Sequence, residues 1–330
     1  MKYSIIVPVY NRPDEVDELL ESLTKQTLKD FEVIIVEDGS IKPCKDVCEK
    51  YANILDLHYY AKENSGPGQS RNYGAERSNG EWLIILDSDV VLPEGYLEAV
   101  EKSLASSTSI EAWGGPDAAH PSFTPVQKAI SYSMTSFFTT GGIRGGKAKL
   151  DKFYPRSFNM GIRRDVYLKL EGFTKMRFGE DIDFSYRIVE AGYMPRLFPE
   201  AWVWHKRRTD FRKFFRQVYN SGIARINLEK RHPGTMKLVH LLPTVFTLGV
   251  IGLLLITLIF TYACVPIILY SAIIFIDSSI KNKSLWVGLL SIPAAFVQLM
   301  GYGFGFIESW WKRCVLKQDE FTAFEKNFYK

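Results

Sequence analysis

The sequence is poor in cysteine, with four such residues among 330, so it is not a disulfide-stabilised scaffold. Charge is nearly absent from residues 238–307, which contain only Asp277, Lys281 and Lys283. No G-x-G-x-x-G motif follows the first predicted strand, which argues against a dinucleotide-binding domain. The chain is 46% apolar and 14% aromatic, which excludes a disordered protein.

The nearly uncharged stretch predicts membrane-spanning helices. Residues 241–276 carry no charge, and as a helix they would extend roughly 54 Å, too long for one crossing of a ~30 Å hydrocarbon layer. Pro266 favours a turn between two crossings, and residues 285–307 supply a third apolar run. We therefore expect about three transmembrane helices in 238–307, followed by a C-terminal tail, 308–330.

The N-terminal sequence has too short an apolar stretch for a signal peptide and no cleavage site. We therefore expect a multi-pass protein of the cell membrane with its first ~200 residues in the cytoplasm. The four cysteines are then expected to be reduced thiols.

Residues 206–237 form a basic segment, with ten basic and two acidic side chains. Apolar residues recur there at spacings of three or four, which predicts an amphipathic juxtamembrane helix. The stripe consists of Phe211, Phe215, Val218, Gly222 and Ile226. Such a helix suits an anionic lipid surface, and packing on the soluble domain is the alternative. The absence of a nucleic-acid motif argues against nucleic acid as a partner.

Short apolar runs alternate with amphipathic stretches in the N-terminal part. The predicted strands are 4–9, 31–36, 57–61 and 82–86, and the predicted helices are 15–26, 44–52 and 69–78. This alternation predicts an α/β fold in residues 1–205, a mostly parallel sheet with helices on both faces. Ligands of such sheets bind at the carboxyl ends of the strands. The sequence places Tyr10, Asn11, Asp38, Asp87 and Asp89 at those ends.

Two acidic motifs carry the predicted chemistry. Asp87-Ser88-Asp89 follows a fully apolar strand, and its carboxylates suit Mg²⁺ or Mn²⁺ bound to a diphosphate. The second motif, residues 180–183, begins a predicted helix, where acids serve as capping groups or as a general base. His205 follows a strand-like run and is a candidate third metal ligand or an interfacial residue.

These motifs, in this order, resemble those of family 2 glycosyltransferases with the GT-A fold, inverting enzymes of polysaccharide and lipid-linked sugar synthesis. S-I-I-V-P-V-Y-N, V-E-D-G-S, G-P-G-Q-S-R-N-Y-G, L-D-S-D and G-E-D-I-D-F-S-Y-R match the family's segments between Ser4 and about His205. One departure is Glu37, where the family has aspartate, which leaves Asp38 as the candidate for contact with the base.

The resemblance implies a role for each matching residue. The residues implied in donor binding are Pro8, Tyr10, Asn11, Asp38, Arg71 and Asp87. Asp89 is implied as the metal ligand, with His205 closing the metal site. Asp181 is implied as the catalytic base, with Glu180 and Asp183 shaping the acceptor site.

The implied function is transfer of one sugar, or a few, from a nucleotide sugar to a membrane-associated, lipid-linked or glycan acceptor. The Q-x-x-R-W signature of processive synthases is absent. A polyprenyl-phosphate sugar synthase is the alternative, since an ionised phosphate acceptor needs no strong base. A non-catalytic membrane scaffold is a second alternative, which the intact acidic motifs disfavour.

Overall fold

The structure is a computed structural model, and it describes residues 1–106, 109–120, 122–141, 153–206 and 208–324. Its strands are β1 (Tyr3–Val9), β2 (Phe31–Asp38), β3 (Asp56–Lys62), β4 (Trp82–Leu86), β5 (Val90–Val91), β6 (Ala112–Gly114), β7 (Asp117–Ala118), β8 (Asn159–Arg163), β9 (Arg196–Leu197) and β10 (Val203–His205). Its α-helices are α1 (Pro13–Thr24), α2 (Lys45–Tyr51), α3 (Pro67–Glu76), α4 (Tyr96–Ala105), α5 (Pro125–Thr135), α6 (Phe137–Thr140), α7 (Arg164–Lys169), α8 (Glu180–Glu190), α9 (Phe211–Arg231), α10 (Leu242–Thr257), α11 (Val265–Asn282) and α12 (Leu285–Trp310).

The chain divides into two compact units. The first comprises the described parts of 1–120 and 150–206, and the second those of 121–149 and 207–330. Residues 122–141 therefore group with the C-terminal helices, although they lie within the 1–205 span that the sequence predicts as one catalytic domain.

The first unit contains a seven-stranded sheet with the order β3-β2-β1-β4-β8-β6-β9. Strands β1 to β4 are parallel, whereas β8 is antiparallel to both β4 and β6. One apolar cluster on the sheet contains residues of α1, α2 and α4, and another contains residues of α3, α7 and α8. The predicted mostly parallel sheet with helices on both faces is therefore confirmed.

Two features position the carboxyl ends of the strands. Pro8 pairs with Val36 of β2, whereas the pairing of β1 with β4 already stops at Ile6. Because Pro8 has no N–H to donate, its position beyond the end of the β4 pairing means that no hydrogen bond to β4 is lost. A three-stranded sheet, β5-β10-β7, begins directly after β4. In it, His205 of β10 pairs with Val90 of β5, just after the D-S-D motif.

The second unit contains three helices that are long and apolar enough to cross a membrane, as the sequence predicts: Leu238–Thr257, Thr261–Asn282 and Leu285–Val315. Residues 258–260 separate the first two spans, and Pro266 lies a few residues further on, in the first turn of α11. In each of these two helices, only 11% of the most apolar 18-residue stretch is buried within the protein. Their apolar surface therefore faces outward, as lipid-facing helices require.

Helix α9, which falls in the basic segment, packs along α12 instead of presenting all of its charges outward. Val218, Gly222 and Ile226 of the predicted stripe are buried, but so are Arg216 and Arg225. Glycines permit a close approach of the two helices. A Cβ on Gly222 would lie 2.2 Å from the carbonyl oxygen of Tyr302, and one on Gly305 would lie 2.0 Å from that of Tyr219.

The C-terminal tail also binds to α9 through buried amide side chains. Asn220 Nδ2 donates to the carbonyl of Ala323 at 3.1 Å, and the N–H of Ala323 donates to Asn220 Oδ1 at 2.9 Å. Asn227 Nδ2 donates to the carbonyl of Phe321 at 3.4 Å. The tail thereby satisfies polar groups that α9 buries.

Helix α5 packs against α11 and α12 within the same unit. Tyr132 donates a hydrogen bond to Asp277 Oδ2 at 2.7 Å. Ala129 shares an apolar cluster with Val287 and Ala294. These contacts explain why 122–141 belongs to the second unit.

Candidate active site

The D-S-D motif lies in the turn that joins β4 to β5. All five residues of β4 are buried, so the strand is a rigid support for the turn that follows. The Asp87 side chain is 32% exposed and that of Asp89 is 16% exposed. Both carboxylates therefore reach the edge of the sheet, where a ligand has access to them.

Asp87, Asp89 and His205 form a cluster that fits a divalent cation. One ligand atom from each residue lies within 4.8 Å of the others. His205 Nε2 is 3.2 Å from Asp89 Oδ1, and Phe158 stacks on the imidazole with ring centroids 4.9 Å apart. A ligand set of carboxylate oxygens and one imidazole nitrogen suits Mn²⁺, whereas Mg²⁺ is bound mainly by the carboxylate oxygens. The donor set predicted from the sequence thus converges in space.

Arg71 connects this cluster to the second acidic motif. Its Nη2 donates to Asp87 Oδ1 at 2.7 Å, and its Nη1 donates to Glu180 Oε1 at 3.0 Å. The side chain is 3% exposed and lies over the ring of Phe173, with Cζ 5.1 Å from the centroid. The resemblance implies donor binding by Arg71, and this geometry gives the side chain a second role, which is to hold the D-S-D turn.

Glu180 and Asp181 begin α8 and occupy different electrostatic environments. Burial, followed by the neighbouring Asp181 carboxylate, raises the pKa of Glu180 to about 7. Burial acts to raise the pKa of Asp181, but the Arg156 guanidinium, helped by Arg71 and the N–H of Ile182, holds that pKa below its ordinary value. Asp181 is therefore the ionised member of the pair, and Glu180 is the member that takes up a proton as the pH falls through about 7.

Arg156 is the partner of Asp181, and sequence reasoning missed it. Its Nε donates to Asp181 Oδ2 at 2.5 Å, while Asp181 Oδ1 accepts from the N–H of Ile182 at 2.9 Å. The two partners are 25 residues apart, and no motif marks Arg156. Only its position directly before β8 brings it to α8.

Asp183 supports the neighbouring loop. Its Oδ2 accepts from Thr174 Oγ1 at 3.0 Å and from Arg187 Nε at 3.2 Å, and the side chain is 3% exposed. Arg187 Nη1 in turn donates to the carbonyl of Leu170 at 2.7 Å. Asp183 thus fixes the loop that precedes α8, and its predicted role in shaping an acceptor site stays a prediction.

On the predicted donor side, Asn11 and Asp38 hold loops in place. Asn11 lies in the left-handed region, with φ of 56°, and its Oδ1 accepts from the backbone N–H groups of Ile41 and Lys42 at 2.7 and 2.9 Å. Asp38 is 4% exposed, and its carboxylate accepts from Lys62 and from the N–H groups of Ser65 and Gly66.

The longer Glu37 side chain is also used internally. It accepts from the hydroxyl of Ser40 and from the N–H of Cys44, the latter at 2.7 Å. Pro8 and Tyr10 are half-buried beside these loops. The loops predicted to surround the donor are therefore cross-linked by these polar side chains.

Comparison with known proteins agrees with the geometry. The sequence profile of Glycosyl transferase family 2 matches residues 4–170, about half of the 330 residues. The chain is 33% identical over 193 residues to an uncharacterized glycosyltransferase of Haemophilus influenzae, covering 57% of this chain and 62% of that protein. It is 41% identical over 93 residues to the poly(ribitol-phosphate) beta-N-acetylglucosaminyltransferase TarS of Staphylococcus aureus, covering 27% of this chain and 16% of TarS.

A solved structure extends the likeness to the fold. The mannosyltransferase PcManGT of Pyrobaculum calidifontis, in complex with GDP-Man and Mn²⁺, aligns with a TM-score of 0.62 at 16% identity. The alignment covers 94% of this chain and 88% of that chain, and it confirms the GT-A fold. The chain spans less than two thirds of the curated relatives described above. The family match ends at residue 170, before α8, so the roles of Asp181 and His205 rest on the site itself.

Proposed function

The chain belongs to Glycosyl transferase family 2, and from this premise we propose that it is an inverting glycosyltransferase. The donor is a nucleotide sugar, and the acceptor is associated with the membrane and lipid-linked, as in synthesis of cell-surface polysaccharides or glycoconjugates. One observation carries the proposal. Arg71 joins Asp87, beside Asp89 and His205, to Glu180, beside Asp181, so metal-binding and proton-accepting groups share one site.

The donor side uses the edge of the sheet. Pro8, Tyr10, Asn11 and Asp38 line or support the pocket for the nucleoside. A divalent cation held by Asp89 and His205, with Asp87, would neutralise charge on the departing nucleoside diphosphate. Arg71 keeps the Asp87 carboxylate fixed for that contact.

The acceptor side uses the ionised carboxylate of Asp181. An oxygen of this carboxylate takes the proton of the acceptor hydroxyl while the hydroxyl oxygen attacks the anomeric carbon. The bond to the nucleoside diphosphate breaks on the opposite face, which inverts the configuration. The lowered pKa of Asp181 keeps it unprotonated at neutral pH, whereas Glu180 is the member of the pair that takes up a proton near pH 7.

The experiment uses the purified full chain in detergent with UDP-, GDP- and other nucleotide sugars and Mn²⁺ or Mg²⁺. Release of nucleoside diphosphate is measured with and without membrane lipid extract as acceptor. We expect turnover with one donor class. Asp181→Asn should lower kcat by about 10³-fold or more while donor Kd stays within about threefold, because a general base acts on the acceptor. The proposal is refuted if the wild type neither turns over nor binds any of these donors.

We further propose that the protein spans the membrane several times with its first unit in the cytoplasm. The three apolar helices support this arrangement. Cys264 lies between α10 and α11, whereas Cys44 and Cys48 are buried. In the Cys314→Ser variant, a membrane-impermeant maleimide added to intact cells should label Cys264, and Cys264→Ser in that background should remove the label. Labelling only after lysis would contradict the orientation.

A further inference from the structure

The backbone around Arg156 is fixed to one face of α8. Asp181 and Ser185 are one helical turn apart and lie on the same face. Ser185 Oγ donates to the carbonyl of Pro155 at 2.6 Å, and the N–H of Asn159 donates to the carbonyl of Arg156 at 3.1 Å. Arg156 therefore reaches Asp181 from an anchored position.

The Arg156 guanidinium uses only one of its two hydrogen-bonding edges. Its Nε donates to Asp181, whereas neither Nη1 nor Nη2 donates to any residue that the structure describes. The Arg156 side chain is 42% exposed, compared with 11% for Asp181. A guanidinium offers five N–H donors in a planar fork, so the Nη1–Nη2 edge faces outward with its donors available.

Arg71 provides a comparison within the same site. Both of its terminal nitrogens are used, on Glu180 and Asp87, and its side chain is 3% exposed. That is the arrangement of a purely structural arginine. Arg156 holds a carboxylate on one side and presents a charged two-donor edge on the other, which matches the spacing of two phosphate oxygens.

We propose that Arg156 binds a phosphate group of the acceptor while it positions Asp181. The acceptor thus carries a phosphate close to the group that is glycosylated, either in a lipid phosphate or in a water-soluble polyol phosphate. This inference rests on the proposed function, because it names a property of the acceptor at the same site. Arg156 is a positioning residue for Asp181 and a binding residue for the acceptor.

The test measures phosphate binding separately from catalysis. Calorimetry with the full chain in dodecyl maltoside, Mg²⁺ and saturating UDP or GDP keeps the donor subsite filled. The two probes are undecaprenyl phosphate in micelles and glycerol 3-phosphate. We expect one probe to bind, and preference for one distinguishes the lipid source from the soluble one.

Three variants give the proposal its controls. Arg156→Gln should weaken binding about tenfold or more, the range of a hydrogen bond to a charged group. Arg156→Lys keeps the charge but loses the fork, and should weaken binding about fivefold. Arg163→Gln removes an exposed arginine that pairs with Asp165, and should change binding less than about twofold. Binding of neither probe by the wild type, or Arg156→Gln binding within twofold of it, would overturn the proposal.

A pH profile separates positioning from general damage. Among the residues that the structure describes, Arg156 and Arg71 lower the pKa of Asp181, and Glu180 is the neighbouring acid on α8. Loss of Arg156 raises the pKa of Asp181, so the acid limb of kcat/KM should move to higher pH in Arg156→Gln and stay in place in Arg156→Lys. An unshifted limb in Arg156→Gln would contradict the positioning role. Absence of turnover in the wild type would count against the proposed function. The calorimetric result would still show whether Arg156 binds phosphate, because it does not depend on turnover.

Discussion

Arg71 lies between the two acidic motifs, and the substitution Arg71→Met tests how far the site depends on it. Methionine retains an apolar side chain against Phe173 but removes both ion pairs. Leaving a buried charge without its partner costs about 3–5 kcal/mol. Asp87 is 32% exposed, so solvent screens its ion pair with Arg71 and the loss of that pair costs little. Most of the cost therefore comes from Glu180, which is 10% exposed. We therefore expect a loss of about 3 kcal/mol at pH 8.5, where Glu180 is mostly ionised.

The assay is thermal unfolding of the full chain in detergent, followed by circular dichroism. For a unit of this size, 1 kcal/mol corresponds to roughly 2–4 °C, so Tm should fall by about 6–12 °C. Arg163→Met is the matched control, because its ion pair with Asp165 is exposed and should be worth little. A fall in Tm of less than about 2 °C in Arg71→Met would refute the reasoning.

The loss of stability should also depend on pH. The folded-state pKa of Glu180, about 7, is already above its ordinary value, and removal of Arg71 raises it further. At pH 6 Glu180 is mostly protonated in both proteins, so its contribution to the difference is small. At pH 8.5 the variant must either bury an unpaired Glu180 carboxylate or keep Glu180 protonated above its pKa, and both cost stability. The deficit should therefore grow from pH 6 to pH 8.5, and a constant deficit would show that Glu180 is not its source.

Three further substitutions have expected outcomes. Asp89→Ala should lower metal-stimulated turnover about 10³-fold and abolish its dependence on Mn²⁺ concentration, since a metal ligand is lost. Asp38→Asn should lower stability by about 1.5–3 kcal/mol in thermal unfolding, because a buried carboxylate loses charged hydrogen bonds. Gly305→Ala should cost about 1–3 kcal/mol through its clash with Tyr219, whereas Gly249→Ala, with nothing within 4 Å of the new Cβ, should be nearly neutral.

Each of these outcomes has a result that would contradict it. Full metal-dependent activity in Asp89→Ala would remove Asp89 from the metal site. A rise in donor KM without loss of stability in Asp38→Asn would assign Asp38 to direct contact with the base instead of loop support. Equal unfolding temperatures for the Gly305 and Gly249 variants would show that α9 and α12 are less closely packed than described.

The sequence predicts the first half of the sheet well, because β1 to β4 are apolar runs bounded by turns and helices. The strands that follow have two to five residues and pair with distant segments, so local patterns do not reveal them. The grouping of α5 with the C-terminal helices depends on contacts such as that of Tyr132 with Asp277, 145 residues away, which no periodicity encodes.

The same distinction applies to the site. The carboxylates at strand ends are predictable, because parallel strands deliver them to one edge of the sheet. Their hydrogen-bond partners are not. Lys62 and the backbone at 65–66 enclose Asp38, and Arg156 pairs with Asp181, only because β3, α3 and β8 pack as they do. The positive φ of Asn11, and the contact of its side chain with the backbone of residues 41 and 42, also depend on how the loops pack.

The attachment of the tail to α9 has a consequence for the order of biosynthesis. Asn220 and its partner Ala323 are separated by 103 residues. At a synthesis rate of about 5–20 residues per second, roughly 5–20 s pass before the partner exists. During that interval the buried amides of α9 must remain hydrated or find other partners. We expect the helix to reach its final packing only after the three apolar helices have been made, so α9 is among the last elements of the second unit to be completed.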